Sequence, residues 1–328
     1  MKNIFLLVFF LPSILFFGCR NKEIIKPDDP NKENKYNSLA EFHAKYEPKM
    51  KTVIMDAATG GTFTTEQGTK VVICPNAFLH LNYSTVTGDV QIDFKDIYKR
   101  SDMFWSNKPA SFLSNDNSGL PLKSAGEFYI KASQNGEALQ VGTSADDTLL
   151  VIQPLFDAYD AFIHPYGEMV HNDTVFLWGW NVAQGDNIMP LSDTIGNAIG
   201  YIYTIYYFQN PINGSWLNSD CDLPMGTVFT TLSMHPSFSS SDFDEVEMFF
   251  ILSDVRSTAH LYKDYNSGDF IYNHAPFGYN ATVVALGLKD GNLYSSFTPV
   301  TITNNLTVDF GLQQTTDVQF KAAIEALN

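Results

Sequence analysis

Positive charge is what this chain is short of. Twenty Lys and Arg stand against 36 Asp and Glu, for a formal charge of −16 over 328 residues. A phosphate backbone repels so acidic a surface, which argues against nucleic acid as a partner. Adhesion to anionic lipid headgroups is disfavoured on the same ground. The common catalytic signatures are also missing. There is no Gly-x-Ser-x-Gly elbow, no Ser-x-x-Lys and no glycine-rich phosphate loop, and no two histidines frame a glutamate at helical spacing. Exact repeats and low-complexity tracts are absent, and after residue 19 no apolar run is long enough to span a bilayer. What is plentiful is apolar and aromatic residues, 45% and 14% of the chain, enough for a sizeable core. The length suits two or three domains of about 100–150 residues each.

The one long apolar run is at the front. Lys2 precedes a nearly unbroken stretch over residues 4–17, interrupted by Pro12 and Ser13, and Gly18-Cys19 then gives way to Arg20, Asn21, Lys22 and Glu23. That is the layout of a secretory signal peptide. Cys19 behind a small residue resembles the lipobox of bacterial lipoproteins, with Phe17 where a small residue is usual. In that resemblance residues 1–18 are removed, Cys19 is lipidated, and losing Lys2 takes the mature chain to −17. The plain alternative is an ordinary signal peptide ending near a cysteine. With Cys19 set aside, Cys74 and Cys221 remain as an exported pair that can oxidise, or as two unrelated buried thiols.

Residues 19–51 read as a tether, polar and carrying Pro27, Asp28, Asp29 and Pro30. One short helix is expected within it over SLAEFHAKY, capped by Ser38 with Glu41 three residues on. From residue 52 strand signals dominate: Val90, Ile92 and Phe94 alternate at period two, as do Phe128 and Ile130. GYIYTIYYF, apolar at nearly every position, predicts a central strand covered on both faces. Toward the end, strands over 281–288 and 293–302 flank Asp290-Gly291, and a turn at Asn304-Asn305 leads to Leu306, Val308 and Phe310, a pattern that predicts a β-meander. Thr316 with Gln319 predicts a capping box on a closing helix whose Phe320, Ile324 and Leu327 share a face. The expected architecture is all-β: two or three β-sandwich modules in tandem with a short C-terminal helix. Expected boundaries are 52–155 for the first sandwich, 156–224 for a middle β-rich segment and 225–328 for a C-terminal sandwich.

TVIMDAATGGTFTTEQGTKVVICPNAF and the segments that follow it resemble the β-sandwich shared by ankyrins, zonula-occludens proteins and netrin receptors. The segment order is similar to an uncharacterised family of bacterial surface lipoproteins that carry this sandwich at the front. That family has a Trp-(Ile/Leu)-Asn-Cys-Asp segment, which stands here as Trp216-Leu217-Asn218-Ser219-Asp220. Ala125 stands where a Gly-Gly pair is usual. VVALGLKDGNLYSSFTPVTI resembles the transthyretin-like modules of carboxypeptidase tails. The eukaryotic relatives are interaction modules. Some cleave themselves at a Phe-Ser bond, a reaction that Ser111-Phe112-Leu113 does not support.

Several groupings are candidates for chemistry. His164, His171 and Glu168 form a metal site if the histidines meet across a turn. Asp146 with Asp147, and Asp242, Asp244, Glu245 and Glu247, are carboxylate clusters without calcium-loop spacing, better read as solvated acidic loops. Trp178 and Trp180 lie on one side of a strand and suit the apolar face of a sugar, against the plainer reading of core aromatics. Trp216, Asn218 and Asp220 join them as candidate ligand-binding residues. The function expected from all this is non-catalytic. It is an exported lipoprotein on the membrane through Cys19, in the outer membrane facing either the periplasm or the outside, serving the cell envelope as a structural, adhesive or partner-binding module. No cofactor, catalytic residue or metal is expected. The alternatives are a glycan-binding lipoprotein beside an outer-membrane importer, and an enzyme with a dispersed carboxylate or metal site.

Overall fold

The computed structural model describes residues 35–113, 119–142, 149–155, 164–172, 177–182, 187–192, 194, 198–206, 208 and 210–328, with the backbone alone at 113, 164–172, 177–182, 187, 190, 198, 199 and 240. Cys19, Asp146 and Asp147 lie outside these residues. The chain is all-β with short helices. It begins with α1 (Leu39–Tyr46), then β1 (Lys51–Asp56), β2 (Gly61–Thr64), β3 (Lys70–Ile73), β4 (Phe78–His80), β5 (Asp89–Ile97) and α2 (Arg100–Trp105). Next come β6 (Ser111–Leu113), β7 (Gly119–Gln134), β8 (Glu137–Val141) and β9 (Leu149–Pro154). The middle stretch supplies β10 (His164–Asn172), β11 (Leu177–Val182), β12 (Asn187–Ser192), β13 (Ala198–Ile205) and β14 (Ser215–Asp222). It continues with β15 (Phe229–Pro236), β16 (Glu245–Leu252), β17 (Ser257–His260), β18 (Tyr262–Lys263) and β19 (Phe270–Pro276). The last elements are β20 (Asn280–Lys289), β21 (Asn292–Thr301), β22 (Leu306–Phe310), β23 (Gln313–Gln314) and α3 (Asp317–Glu325). Among the described residues no helix is long and apolar enough to cross a membrane.

Two sheets make the first sandwich. One runs β1-β5-β7-β14-β10-β11-β6, the other β12-β13-β9-β3-β2. The alternation read at Val90, Ile92 and Phe94 holds. All three are fully buried and face Val71, Val151 and Tyr203 across a shared core, with the Phe94 and Phe128 rings stacked at 5.7 Å. β13 lies inside its sheet, between β12 and β9. The middle segment does not stand apart as a module: β13 pairs with β9 and β14 with β7, so it extends both sheets of the first sandwich. β6 pairs with β7 and also with β11, so the path returns on itself and closes a ring through β7, β14, β10, β11 and β6. These pairings join strands that are far apart in sequence, so local periodicity carries no trace of them.

The second sandwich packs β18-β19-β15-β22 on β17-β16-β20-β21-β23. β16 and β20 are apolar at almost every position because both faces of their sheet are covered. Met248, Phe250, Val283 and Ala285 face the opposing sheet. Phe249, Ile251, Val284 and Leu286 face a second core built by the helices, with Leu39, Phe42, Phe104, Trp105, Phe320 and Ile324. The Asp290-Gly291 turn forms as expected, at φ 51° and 76°. The meander does not form. After Asn304-Asn305 the chain crosses to the other sheet, where β22 lies parallel to β15. The closing helix carries both bonds of its capping box, Gln319 N to Thr316 Oγ1 and Thr316 N to Gln319 Oε1, each 3.2 Å.

The tether reading gives way from Lys35 onward. Ser38 caps α1 by accepting from Glu41 N at 3.1 Å, and Leu39 and Phe42 are fully buried. The average polarity of residues 19–51 conceals these few apolar groups. They are enough because the surface that receives them is already built by β16, β20 and α3. The carboxylates expected as a solvated loop do the fastening. Glu245 Oε2 accepts from Leu39 N at 3.0 Å, Glu247 Oε2 lies 2.9 Å from His43 Nε2, and Asp244 Oδ2 accepts from Asp290 N at 2.9 Å.

Candidate buried carboxylate site and apolar cleft

On β7, Phe128 and Ile130 point into the first core, so Glu127 and Tyr129 point to the other face. Glu127 stands opposite Asn218 of β14. One step on, the register shifts: Ser219 pairs with Gly126 but Asp220 with Ser124, leaving Ala125 as the extra residue of a bulge. Gly126 makes the bulge possible. Its φ is +137°, and a Cβ there would lie 2.3 Å from Tyr98 Cε1. Gly126→Ala should cost about 3 kcal/mol or more, by strain and displacement of the Tyr98 ring, read from the shift in a urea unfolding curve. An unchanged midpoint would show that the close approach does not constrain the fold.

The bulge brings Glu127, Asn218 and Asp220 together, all at 0% exposure. Asn218 Nδ2 donates to Asp220 Oδ2 at 2.5 Å. Among the described residues, neither oxygen of Glu127, nor Asp220 Oδ1, has a hydrogen-bond partner. Burial pushes Glu127 well above the ordinary carboxylate range; the Asp220 charge adds to this and Lys108 opposes it. Burial likewise lifts Asp220 from 3.8 to about 7, against the pull of Ser124, Asn218, Arg256 and the Ala125 N–H. Burial thus favours the neutral form of both neighbouring carboxyls.

Behind them Ser219 Oγ donates to Gln153 Oε1 at 2.5 Å. Tyr98 Oη, Thr69 Oγ1 and Asp96 Oδ2 form a chain with steps of 2.6 and 2.5 Å. Arg256 reaches in from the turn before β17, its Nη1 donating to Tyr98 O at 3.2 Å while its own carbonyl accepts from Ser124 N at 2.8 Å. The site therefore lies where the two sandwiches meet.

Asn218 and Asp220 converge as the sequence reading grouped them. Trp216 sits on the same strand, half-buried, its ring 5.4 Å from that of Tyr129. Lys108 Nζ and Lys95 Nζ lie 5.1 and 5.8 Å from the Trp216 ring centroid, so a sugar stacked there would compete with cations. Trp178 and Trp180 stand two positions apart on β11, paired in register with His171 and Met169 of β10; their side chains lie outside the described residues. The metal grouping fails on the backbone. His164 and His171 do not flank a turn but occupy one strand, seven residues apart, about 23 Å at 3.3 Å per residue. Among the described residues no three His, Cys, Asp or Glu come together to hold a metal. Cys74 and Cys221 are thiols, the first half-buried and the second buried. Glu127, Gln153 and Arg256 escaped the sequence reading; alternation marks Glu127 as facing away from the core, and nothing local marks that second face as covered.

The exposed counterpart is a cleft of about 480 Å³ at the connector between the sandwiches, lined by Phe112, Leu120, Leu223, Met225 and Phe229 among others. Met225 is fully exposed there, and Val228 and Phe277 are exposed close by. Comparison of the chain with protein-family models, curated proteins and solved structures gave no match.

Proposed function

We propose that this chain is an exported bacterial lipoprotein, anchored through Cys19, whose sandwiches form a non-catalytic, partner-binding module of the cell envelope. The observation that carries this reading is the enclosure of Glu127 and Asp220. An acid-base pair that acts on a substrate must touch it, and these two carboxyls are sealed at the seam of the fold while apolar groups gather on the outside at Met225. Exposed apolar patches of that kind mark interaction sites. The resemblance to interaction modules points the same way. Replacing Cys19 with Ala should release the protein from the membrane fraction into the soluble fraction; unchanged membrane association overturns the anchor. A glycan-binding reading rests on the two-residue spacing of Trp178 and Trp180 in the sequence, and a glycan array without hits retires it.

A further inference from the structure

Glu127 and Asp220 are closed to any substrate from outside, but the chain supplies one of its own. Trp216, Asn218 and Asp220 share one face of β14, and Asn218 stands directly opposite Glu127 of β7. The Asn218 carboxamide is pinned at both ends. Its Oδ1 accepts from Ser124 Oγ at 3.4 Å, and its Nδ2 donates to Asp220 Oδ2 at 2.5 Å. Ser124, Glu127, Asn218 and Asp220 are all buried.

An amine reaches the same layer from the turn after α2. Lys108 N donates to Met103 O at 2.9 Å, which fixes that turn. The half-buried side chain then runs over Trp216, with Nζ 5.1 Å from the ring centroid. Asn218 lies two residues further along the strand, about 7 Å. Rotation within the four-carbon lysine stem carries Nζ from the ring toward the carboxamide. The other lysine over this ring, Lys95, is paired with Glu47. Burial favours the neutral amine of Lys108, and Glu127 is the foremost charge acting on it. Glu127, whose oxygens hold no hydrogen bond among the described residues, is uncommitted and placed to take the ammonium proton.

We propose that Lys108 and Asn218 join in an isopeptide bond within the folded chain, with Glu127 and Asp220 moving the protons. Glu127 first takes a proton from the Lys108 ammonium. The Nζ lone pair then forms a bond to Cγ of Asn218, while the Ser124 hydroxyl faces the charge gathering on Oδ1. Asp220 gives its proton to Nδ2, the Cγ–Nδ2 bond breaks and ammonia leaves. The extra proton on Nζ passes to the Asp220 carboxylate and restores the acid. Nothing is oxidised or reduced, and no outside reactant enters. The enclosure that shuts out other substrates also keeps water from the amide. The bond staples the turn after α2 to β14, and it does not depend on the anchoring of Cys19.

Mass spectrometry of a proteolytic digest of the full-length chain tests this without any variant. The digest should contain a branched peptide joining Lys108 to Asn218, lighter than its two parts by one ammonia. Recovery of Lys108 and Asn218 in separate, unmodified peptides overturns the proposal; Lys108 is then only a counter-charge to Glu127. Loss of ammonia from the Asn218 peptide without a branch also overturns it, because Asn218 has then closed onto its own backbone. Lys108→Arg keeps a cation over Trp216 but removes the amine, and should return Asn218 in a linear, unmodified peptide. Glu127→Gln keeps the shape and removes the proton acceptor. It should slow formation of the branch in freshly made protein by about a hundredfold or more; an unchanged rate overturns the relay assigned to Glu127.

Discussion

The free energy of unfolding should fall as pH rises from about 4 to about 7, and Asp220→Asn should remove much of that fall. Asp220 titrates at 3.8 in an ordinary setting and at about 7 in the fold. Between those values the native state keeps a proton that the unfolded chain has released, so each rise in pH favours unfolding. The contribution of the neutral carboxyl is complete below about pH 4 and is gone above about pH 7. A shift of this size corresponds to about 4 kcal/mol, undiminished by solvent because the group is wholly buried. Glu127, displaced in the same direction, deepens the fall, and the two titrate as a pair. Glu247 acts oppositely. Burial pushes it up, but its bond and charge partner His43 outweigh this and hold it low. The difference between wild type and Asp220→Asn is therefore the cleaner quantity. Urea unfolding of both chains at pH 4.5 and pH 8 reads it. Equal slopes in the two proteins would mean that Asp220 is ionised in the fold.

Phe42→Ala should cost about 3–5 kcal/mol, the range for deleting a fully buried aromatic side chain. Phe42 lies at the centre of the helix-built core, its ring 5.1 Å from that of Tyr36, 5.4 Å from Trp105 and 5.5 Å from Phe320. Removing it opens the contact among α1, α2 and α3 together. Thermal or urea unfolding gives the loss. A change near zero would mean that α1 does not hold its docked position in solution and that the segment is a spacer after all.

Local signals carried the fold a long way. Period-two alternation located β5 and part of β7, the Asp290-Gly291 pair fixed the β20–β21 turn, and Thr316 with Gln319 marked the start of α3 to the residue. Where the sequence reading failed, the cause was long-range pairing. β22 carries the same alternation whether it pairs with β21 or crosses to β15, and the polarity of residues 19–51 says nothing about a face waiting more than two hundred residues away. The buried site was half legible. Asn218 and Asp220 stood out through their segment, but Glu127, just before Phe128, alternates away from Phe128 and Ile130 and so reads as a solvent-facing residue. The groups that surround it, Lys108 beside Glu127 and Arg256 beside Asp220, come from distant parts of the chain.

The docking of α1 also decides how the molecule bears tension. A pull applied at residue 35 does not travel along the backbone into β1 and unzip the first sandwich from its edge. It is taken up first by the hold of Tyr36 on Gly291, then by those of Leu39 on Glu245, His43 on Glu247 and Lys45 on Asp317. Part of the load passes to the second sandwich and α3, and part to β5 and α2 through the bond of Lys95 to Glu47 and the packing of Phe42 on Trp105. Mechanical failure would begin with the peeling of one short helix, leaving every strand of both sandwiches paired.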